Sequence, residues 1–341
     1  VSPFIDSRSS AIPLALGMSY KAFGLARSLL KKEAGGSGEY LGYNPVTIKS
    51  GRVVYSVAPI LKKTQRLLGD LVYQPMPAGR SAAYEPGTNI CKAATRMCNS
   101  ACLVHADIVN FYGSITGRHV TKLVREYYNG GHDMSGGGSY DPLAGEDMLS
   151  EHQITQVVGM MLRGGRLVQG GPRSPMISNR IGAKFIDPRV EEWRKQYGFI
   201  DYFRYSDNLY FKFKSYRSGK AFLEFLKGQP LVSQGFQLHK FSIAGRAEQQ
   251  RVLGLIVNGD TPRMSRPARR KLEARLYNLE RAAKAGRSAV ALEATKDGRG
   301  LTPEEYIASV SGMLTYYAQY LEAGKLQKLN GLMRGVSNAS I

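Results

Sequence analysis

The sequence predicts an α+β chain built around antiparallel strands, and three observations carry that expectation. From Phe199 to Lys214 two period-two runs adjoin: Phe199, Asp201, Phe203 and Tyr205 alternate with Ile200, Tyr202 and Arg204, then Leu209, Phe211 and Phe213 alternate with Tyr210, Lys212 and Lys214. They meet at Tyr205-Ser206-Asp207-Asn208, and Asp and Asn tolerate left-handed backbone, so the runs make a hairpin with Asp207-Asn208 as its turn residues. The text "VTIKSGRVVYSVAP" reads as a second strand pair. Helices are announced by their caps, Ser174-Pro175 and Thr302-Pro303-Glu304-Glu305.

Taken in order, residues 1–45 read as a helical, partly basic lead-in, with "YKAFGLARSLLKK" as its amphipathic core and "EAGGSGEYLGYN" as the loop after it. The strand pair follows, turning at Lys49-Ser50-Gly51 so that Lys49 and Arg52 flank the tip, and then a helix "ILKKTQRLLGDLVY". A helical stretch from Ile90 to Ser100 leads into an apolar strand "CLVHADIV" that ends in Asp107. After "NFYGSI", Thr116 caps a helix whose Val120, Leu123 and Val124 share one face. The segment "NGGHDMSGGGSYDPLAGED" is aperiodic and glycine-rich, a loop whose spacing fits no phosphate-binding motif.

Ser174, as N-cap, starts a helix that breaks at Asp187-Pro188, because an interior proline removes a hydrogen bond, and that ends at Tyr197 before Gly198. Beyond the hairpin, "GFQLHKFSIAG" and "RVLGLIVNG" are strand-like, and from Arg263 the chain turns helical and basic. The capping box at Thr302 opens a helix through "YIASVSGMLTYYAQYLEAG", whose Tyr316, Tyr317 and Tyr320 form an aromatic face that we assign to core packing over base stacking. There is no internal repeat.

The chain of 341 residues, 43% hydrophobic, is long enough to bury a large core. Lysine plus arginine outnumber aspartate plus glutamate by 47 to 27, a formal charge of +20. Such an excess suits a polyanion; nucleic acid comes first because neutralising phosphates releases counterions, and an anionic membrane surface is the rival. No apolar stretch of about eighteen residues and no signal-peptide pattern occurs, so a soluble, cytoplasmic protein with no membrane partner is expected. Cys91, Cys98 and Cys102 lack the paired spacing of a zinc site and are assigned to packing. His105, His119, His132, His152 and His239 are scattered, with no metal-ligand pair at helical spacing.

Two carboxylates carry the chemistry. Asp107 closes a buried strand and Asp207 sits at a hairpin tip. From adjacent strands of one sheet they can clamp a pair of hard cations about 3.5–4 Å apart, the arrangement that serves phosphoryl transfer. Taken singly, each could equally cap a helix or turn the chain.

The order of motifs adds a resemblance. "ADIVNFYGSI" resembles motif A of reverse transcriptases, "QGGPRSPMISN" their motif B, "YFRYSDNLYF" their motif C and "GFQLHKFSIAG" their motif D. "RVLGLIVNGDTPRMSRPARRKL" and "GRVVYSVAPILKKTQRLL" are similar to the matching segments of bacterial retron-type enzymes, and together these strings cover most of residues 46–280. The resemblance implies a right-hand polymerase fold after the lead-in: fingers over 46–100 and 116–165, a palm with an antiparallel sheet over 101–115 and 166–260, and a helical thumb over 261–341.

It also implies roles. Asp107 and Asp207 would hold two Mg²⁺ ions, with the carbonyl of Ile108 as a further ligand. Tyr112 would be the steric gate against a 2′-hydroxyl, a core tyrosine being the alternative. Gln169, Gly170 and Asn208 would lie at the incoming nucleotide and template, with Ser174 through Asn179 under the base pair. Lys49 and Arg52 would reach the triphosphate, solvated surface charge being the alternative, and Lys240 would give a proton to the pyrophosphate. Arg266, Arg269, Arg270 and Lys271 would track a duplex backbone or an RNA stem.

The implied activity is RNA-directed DNA synthesis from dNTPs on a structured non-coding RNA, giving a cDNA product in a bacterial cytoplasm, as part of anti-phage defence with an effector protein. The sequence departs from the family at Asn208, where a second aspartate is usual, and at Val252-Leu253-Gly254, where Val-Thr-Gly is usual. "CKAATRM" stands in place of an Asn-Ala-x-x-His string. These departures keep two alternatives: a defence-associated relative with non-templated or protein-primed synthesis, and a catalytically decayed RNA-binding scaffold.

Overall fold

The computed structural model describes residues 16–30, 41–48, 50–129, 149–285, 287–296 and 300–320, with single positions 298, 327 and 331. Lys49, the glycine-rich segment beyond Asn129 and most of the lead-in lie outside the described residues. No helix among the described residues is long and apolar enough to cross a membrane.

Helix α1 (Tyr20–Ser28) is capped by Ser19, whose Oγ accepts from the Ala22 amide at 3.2 Å. Strands β1 (Tyr43–Thr47) and β2 (Val53–Val57) pair antiparallel as expected. Helix α2 (Pro59–Leu68) starts on its proline and runs into a π-helical turn at Gly69–Tyr73. Helix α3 (Ile90–Arg96) stops short of the predicted Ser100: Asn99 takes a left-handed φ of 54°, and the Ser100 hydroxyl donates back to Met97 O.

Strand β3 (Cys102–Ile108) carries Asp107 as its penultimate residue, and one turn, α4 (Phe111–Ser114), follows. Helix α5 (Gly117–Asn129) buries Val120, Leu123 and Val124. Helix α6 (Glu151–Met161) is closed by a capping box of Ser150 and Gln153. Helices α7 (Ser174–Phe185) and α8 (Asp187–Tyr197) divide where Pro188 requires it, and Gly198 ends α8 at φ 63°. The predicted cap is corrected by one residue: Ser174 is already helical and Arg173 takes the N-cap position, because the Ser174 amide donates to Gly171 O and closes the turn early.

The hairpin comprises β4 (Asp201–Tyr205) and β5 (Asn208–Phe213), followed by α9 (Tyr216–Lys227) and β6 (Leu238–Gly245). The stretch "RVLGLIV" is two short strands instead of one, β7 (Arg251–Val252) and β8 (Leu255–Ile256), folded about Leu253 and Gly254 at φ 49° and 85°. A primed turn needs such angles at both central residues. A third strand, β9 (Arg263–Met264), precedes α10 (Arg266–Ala285), α11 (Arg287–Lys296) and α12 (Pro303–Tyr317), the last opened by the predicted Thr302/Glu305 capping box.

The chain divides into two compact units: residues through Asn89 with Cys102–Ile243, and Ile90–Ala101 with Ala244 onward. The first holds an antiparallel sheet of strand order β4-β5-β3-β6. One face of its hairpin packs into an aromatic cluster in which Phe222 of α9 touches Phe199, Phe211 and Phe213 at ring distances of 4.8–5.7 Å. In the second unit β7, β8 and β9 form a small sheet, and Leu272, Leu276 and Leu279 of α10 pack with Tyr306, Val310 and Leu314 of α12. Tyr317 packs against that core and stands 4.7 Å from Tyr316. Cys98 and Cys102 are buried.

Candidate active site

The sheet brings the two sequence-selected carboxylates to one edge. Asp107 on β3 is registered opposite Asn208 on β5, and the Ile108 amide donates to the Asp207 carbonyl at 2.9 Å. The turn residues are Ser206 and Asp207, with Ser206 at φ 56°, so Asn208 is already a strand residue. That corrects the expected Asp207-Asn208 turn: pairing of Tyr205 with Asn208 leaves only two residues between the strands.

Asp107, Ile108 and Asp207 line a single cleft with Tyr112, His239 and Lys240. Arg52, Arg163, Arg166 and Gln169 line the same cleft. Burial, and then the charge of Asp107, push the Asp207 carboxyl up from its ordinary value; its own amide, Asn208 and Arg52 pull the other way. Asp107 is buried, with His239 Nε2 2.9 Å from Oδ1 and Lys240 Nζ donating to Oδ2 at 3.2 Å.

Consecutive strand residues normally point to opposite faces. His239 and Lys240 nevertheless converge on one carboxylate, and the reason is the left-handed backbone of Lys240, φ 49°. Behind the carboxylates, His105 Nε2 lies 2.8 Å from Asn208 Oδ1, and Asn208 Nδ2 donates to Asp207 Oδ1 at 2.9 Å. Burial lowers the His105 pKa, outweighing Asn208 and the two carboxylates, which raise it.

Tyr112 is half-buried on the same cleft, and its hydroxyl contacts Ser206 of the hairpin turn, Ser178 of α7 and Tyr84. Burial, with Tyr84 next, pushes that hydroxyl up to about 12. Gln169 lines the cleft while its carbonyl accepts from the Tyr55 amide at 2.8 Å. Gly170 has a partner within the fold. Its close backbone approach is to Tyr55, since a Cβ there would lie 2.3 Å from Tyr55 O, and it is not among the residues lining the cleft. Arg266, Arg269, Arg270 and Lys271 are exposed at the start of α10 in the second unit, with Arg269 3.8 Å from Glu273.

The donor set suits a hard divalent cation. Asp207 is held up by burial first and by the charge of Asp107 second, and a cation between the two carboxylates would relieve that repulsion. Among the described residues no group of three or more His, Cys, Asp or Glu is arranged to hold a metal ion. Two carboxylates are the donor number that an ion of the Mg²⁺ type would take from protein, the rest of its shell coming from water and substrate phosphate.

Four cleft or near-cleft residues escaped the sequence reading. Arg163 and Arg166 flank the turn Gly164-Gly165, at φ 57° and 76°, and this Arg-Gly-Gly-Arg string just before Gln169 was the signal available. Arg163 stacks over Tyr55 at 4.4 Å, and Arg166 Nη1 donates to Gly113 O at 2.6 Å. His105, two residues before Asp107 on the same strand face, was legible from strand periodicity. His239 was not, because its convergence with Lys240 depends on one irregular backbone angle.

No family model matches the sequence, and no curated protein does. Among solved structures the chain is similar to telomerase from Candida albicans in complex with a TWJ fragment of telomeric RNA, at 11% identity and TM-score 0.43, over 86% of this chain and 62% of that one. It is similar also to apo telomerase from Candida tropicalis, at 10% identity and TM-score 0.42, over 82% and 54%. The C-terminally truncated form of the latter matches at 10% identity and TM-score 0.41, over 60% and 45%. The chain thus spans roughly half the length of these proteins, between 45% and 62% in the three.

Proposed function

We propose that the chain is an RNA-directed DNA polymerase of right-hand fold and retron type, joining dNTPs on a structured non-coding RNA. The observation that carries this reading is the presence in one cleft of the Asp107/Asp207 pair together with Arg52, Arg163, Arg166 and Gln169. Nucleotidyl transfer needs both: carboxylates to hold cations at the reacting phosphate, and guanidinium groups for the phosphate oxygens that leave. The order of the four motif strings supports it, as does the net charge of +20.

In this reading Asp107, Asp207 and the Ile108 carbonyl hold two Mg²⁺ ions, which when bound supply Lewis-acid stabilisation of the attacking and leaving oxygens. Arg52, Arg163 and Arg166 orient the triphosphate, and Lys49 adds charge to the same group. Gln169 positions the nucleotide, and Tyr112 sets how much room the sugar has. Lys240, within hydrogen-bond distance of Asp107, gives a proton to pyrophosphate in this reading. The exposed Arg266, Arg269, Arg270 and Lys271 bind phosphates of the template stem or the cDNA duplex. Initiation from an RNA 2′-hydroxyl, an effector protein partner and a role in anti-phage defence complete the proposal.

The test incubates purified protein with Mg²⁺, labelled dNTPs and its copurifying RNA. DNA synthesis is expected in the wild type and absent in Asp107→Ala and Asp207→Ala. No synthesis by the wild type on any primed RNA, with RNA binding retained, would select the decayed scaffold that Asn208 suggests. Product that does not match the RNA sequence would select non-templated synthesis.

A further inference from the structure

Asn208 is held at both ends of its amide, by His105 at Oδ1 and by Asp207 at Nδ2. Donor and acceptor chemistry leaves one arrangement. An ionised carboxylate offers only acceptors, so the amide must turn its NH₂ toward Asp207; its carbonyl then faces His105, and the neutral ring must carry its proton on Nε2.

The strands explain why the three groups meet. His105 and Asp107 are two apart on β3 and share a face, and Asp107 is registered against Asn208, so His105 lies diagonally across from the amide. Its ring is steadied 4.7 Å from Tyr210, its own registered partner. A carboxylate at position 208 would put a third negative charge beside Asp107 and Asp207 and would have no hydrogen to give Asp207. The amide gives one without adding charge.

We propose that His105 and Asn208 form a fixed donor relay that orients Asp207 for cation binding: His105 sets the amide, and the amide holds Oδ1 of Asp207 so that Oδ2 is presented to the ion. His105 is thus a positioning residue acting through Asn208, and the site uses a neutral hydrogen-bond donor where a second hairpin carboxylate would stand. The proposal rests on the cation site described above. Partners one layer behind metal ligands are worth about 10–100-fold in metal affinity or activity when removed.

The experiment measures Mn²⁺ binding to the full chain without nucleotide, from the free-ion signal in electron paramagnetic resonance. His105→Phe keeps a ring against Tyr210 but removes the donor, His105→Gln keeps an N–H, and Asn208→Leu removes the amide. Urea midpoints show that each variant is folded. Affinity is expected to fall roughly 10–100-fold in His105→Phe and in Asn208→Leu, with His105→Gln recovering most of the loss. The double variant His105→Phe/Asn208→Leu should be no weaker than Asn208→Leu alone, because a relay has one path. Ring ¹³C and ¹⁵N shifts of His105 should report the Nε2–H tautomer.

Folded His105→Phe that binds Mn²⁺ as the wild type does would overturn the relay and leave the cation site standing. So would full additivity in the double variant, or an Nδ1–H ring. A wild type that binds Mn²⁺ no better than Asp107→Asn would overturn the cation site itself, and the relay with it.

Discussion

Arg204 is wholly buried, and its Nε donates to Asp187 Oδ1 at 3.2 Å. Three residues before Asp207, this guanidinium ties the hairpin to the start of α8. It also donates to Asn179 O at 3.0 Å and Ala78 O at 3.3 Å, while Asp187 accepts from the Tyr202 hydroxyl at 3.0 Å and the Arg80 amide at 2.8 Å. Gly182 makes room for it, since a Cβ there would lie 2.2 Å from Arg204 Cζ. A buried pair satisfied on all sides adds little net stability, but a broken one strands a charge.

Arg204→Met should therefore lower unfolding stability by about 3–5 kcal/mol, read from the urea midpoint. Pairing it with Asp187→Leu should recover part of that loss. Arg204→Lys should not restore the wild type, because an ammonium cannot reproduce the planar fork that reaches Asp187, Asn179 and Ala78 together.

Gly170→Ala tests whether this glycine serves the fold or the ligand. At φ 100° an alanine is strained, and its Cβ would meet the Tyr55 carbonyl. Stability should fall by about 1–3 kcal/mol, seen in thermal or urea unfolding without any ligand. A variant of unchanged stability with weakened nucleotide binding would return Gly170 to the nucleotide.

His119 should make stability pH-dependent. Its Nδ1 accepts from the Thr116 amide at 3.1 Å, its Nε2 lies 3.0 Å from Gln234 O, and its ring stacks 5.3 Å from Phe236. Burial lowers its pKa from the ordinary 6.5, Arg118 acting the same way and the Gln234 carbonyl opposing. Protonating Nδ1 would also break the Thr116 bond. With the folded value depressed, the unfolded chain binds more protons below pH 6.5, so this contribution is present above 6.5 and is lost as pH falls through the folded value. His119→Gln should flatten the loss of stability between about pH 7 and pH 5; an unchanged slope would contradict this assignment.

Tyr112 separates ring from hydroxyl. Under the proposed activity Tyr112→Val should raise ribonucleotide incorporation, measured as the ratio of rNTP to dNTP kcat/KM. Tyr112→Phe should keep discrimination and lose about 0.5–1.5 kcal/mol of stability, because the contacts to Ser206 and Ser178 are lost. Equal relaxation in both variants would assign the discrimination to the hydroxyl.

The local elements were legible where their causes are local. The hairpin at 201–213, the division at Pro188, the Thr302 capping box and the apolar face of α5 follow from strand alternation, proline geometry and side-chain caps, which neighbours in sequence supply. The errors of one to four residues came at ends, where a Gly171 carbonyl decides the first turn of α7 or the left-handed Asn99 follows the last turn of α3. The fold reason for Gly170 was not legible, because the backbone it approaches belongs to β2, far away in sequence.

By itself the sequence determined which carboxylates to look for and that strands would carry them, because strand periodicity and motif order are properties of the chain. Only the tertiary structure decided their surroundings. It sets His239 and Lys240 on one carboxylate through a left-handed residue, brings Arg163 and Arg166 into one cleft with Asp107 and Asp207, buries Arg204 against Asp187, and gives Asn208 a partner in His105. Those contacts join residues tens to a hundred positions apart, and their energies depend on burial and on the nearness of other charges, neither of which exists until the strands have paired.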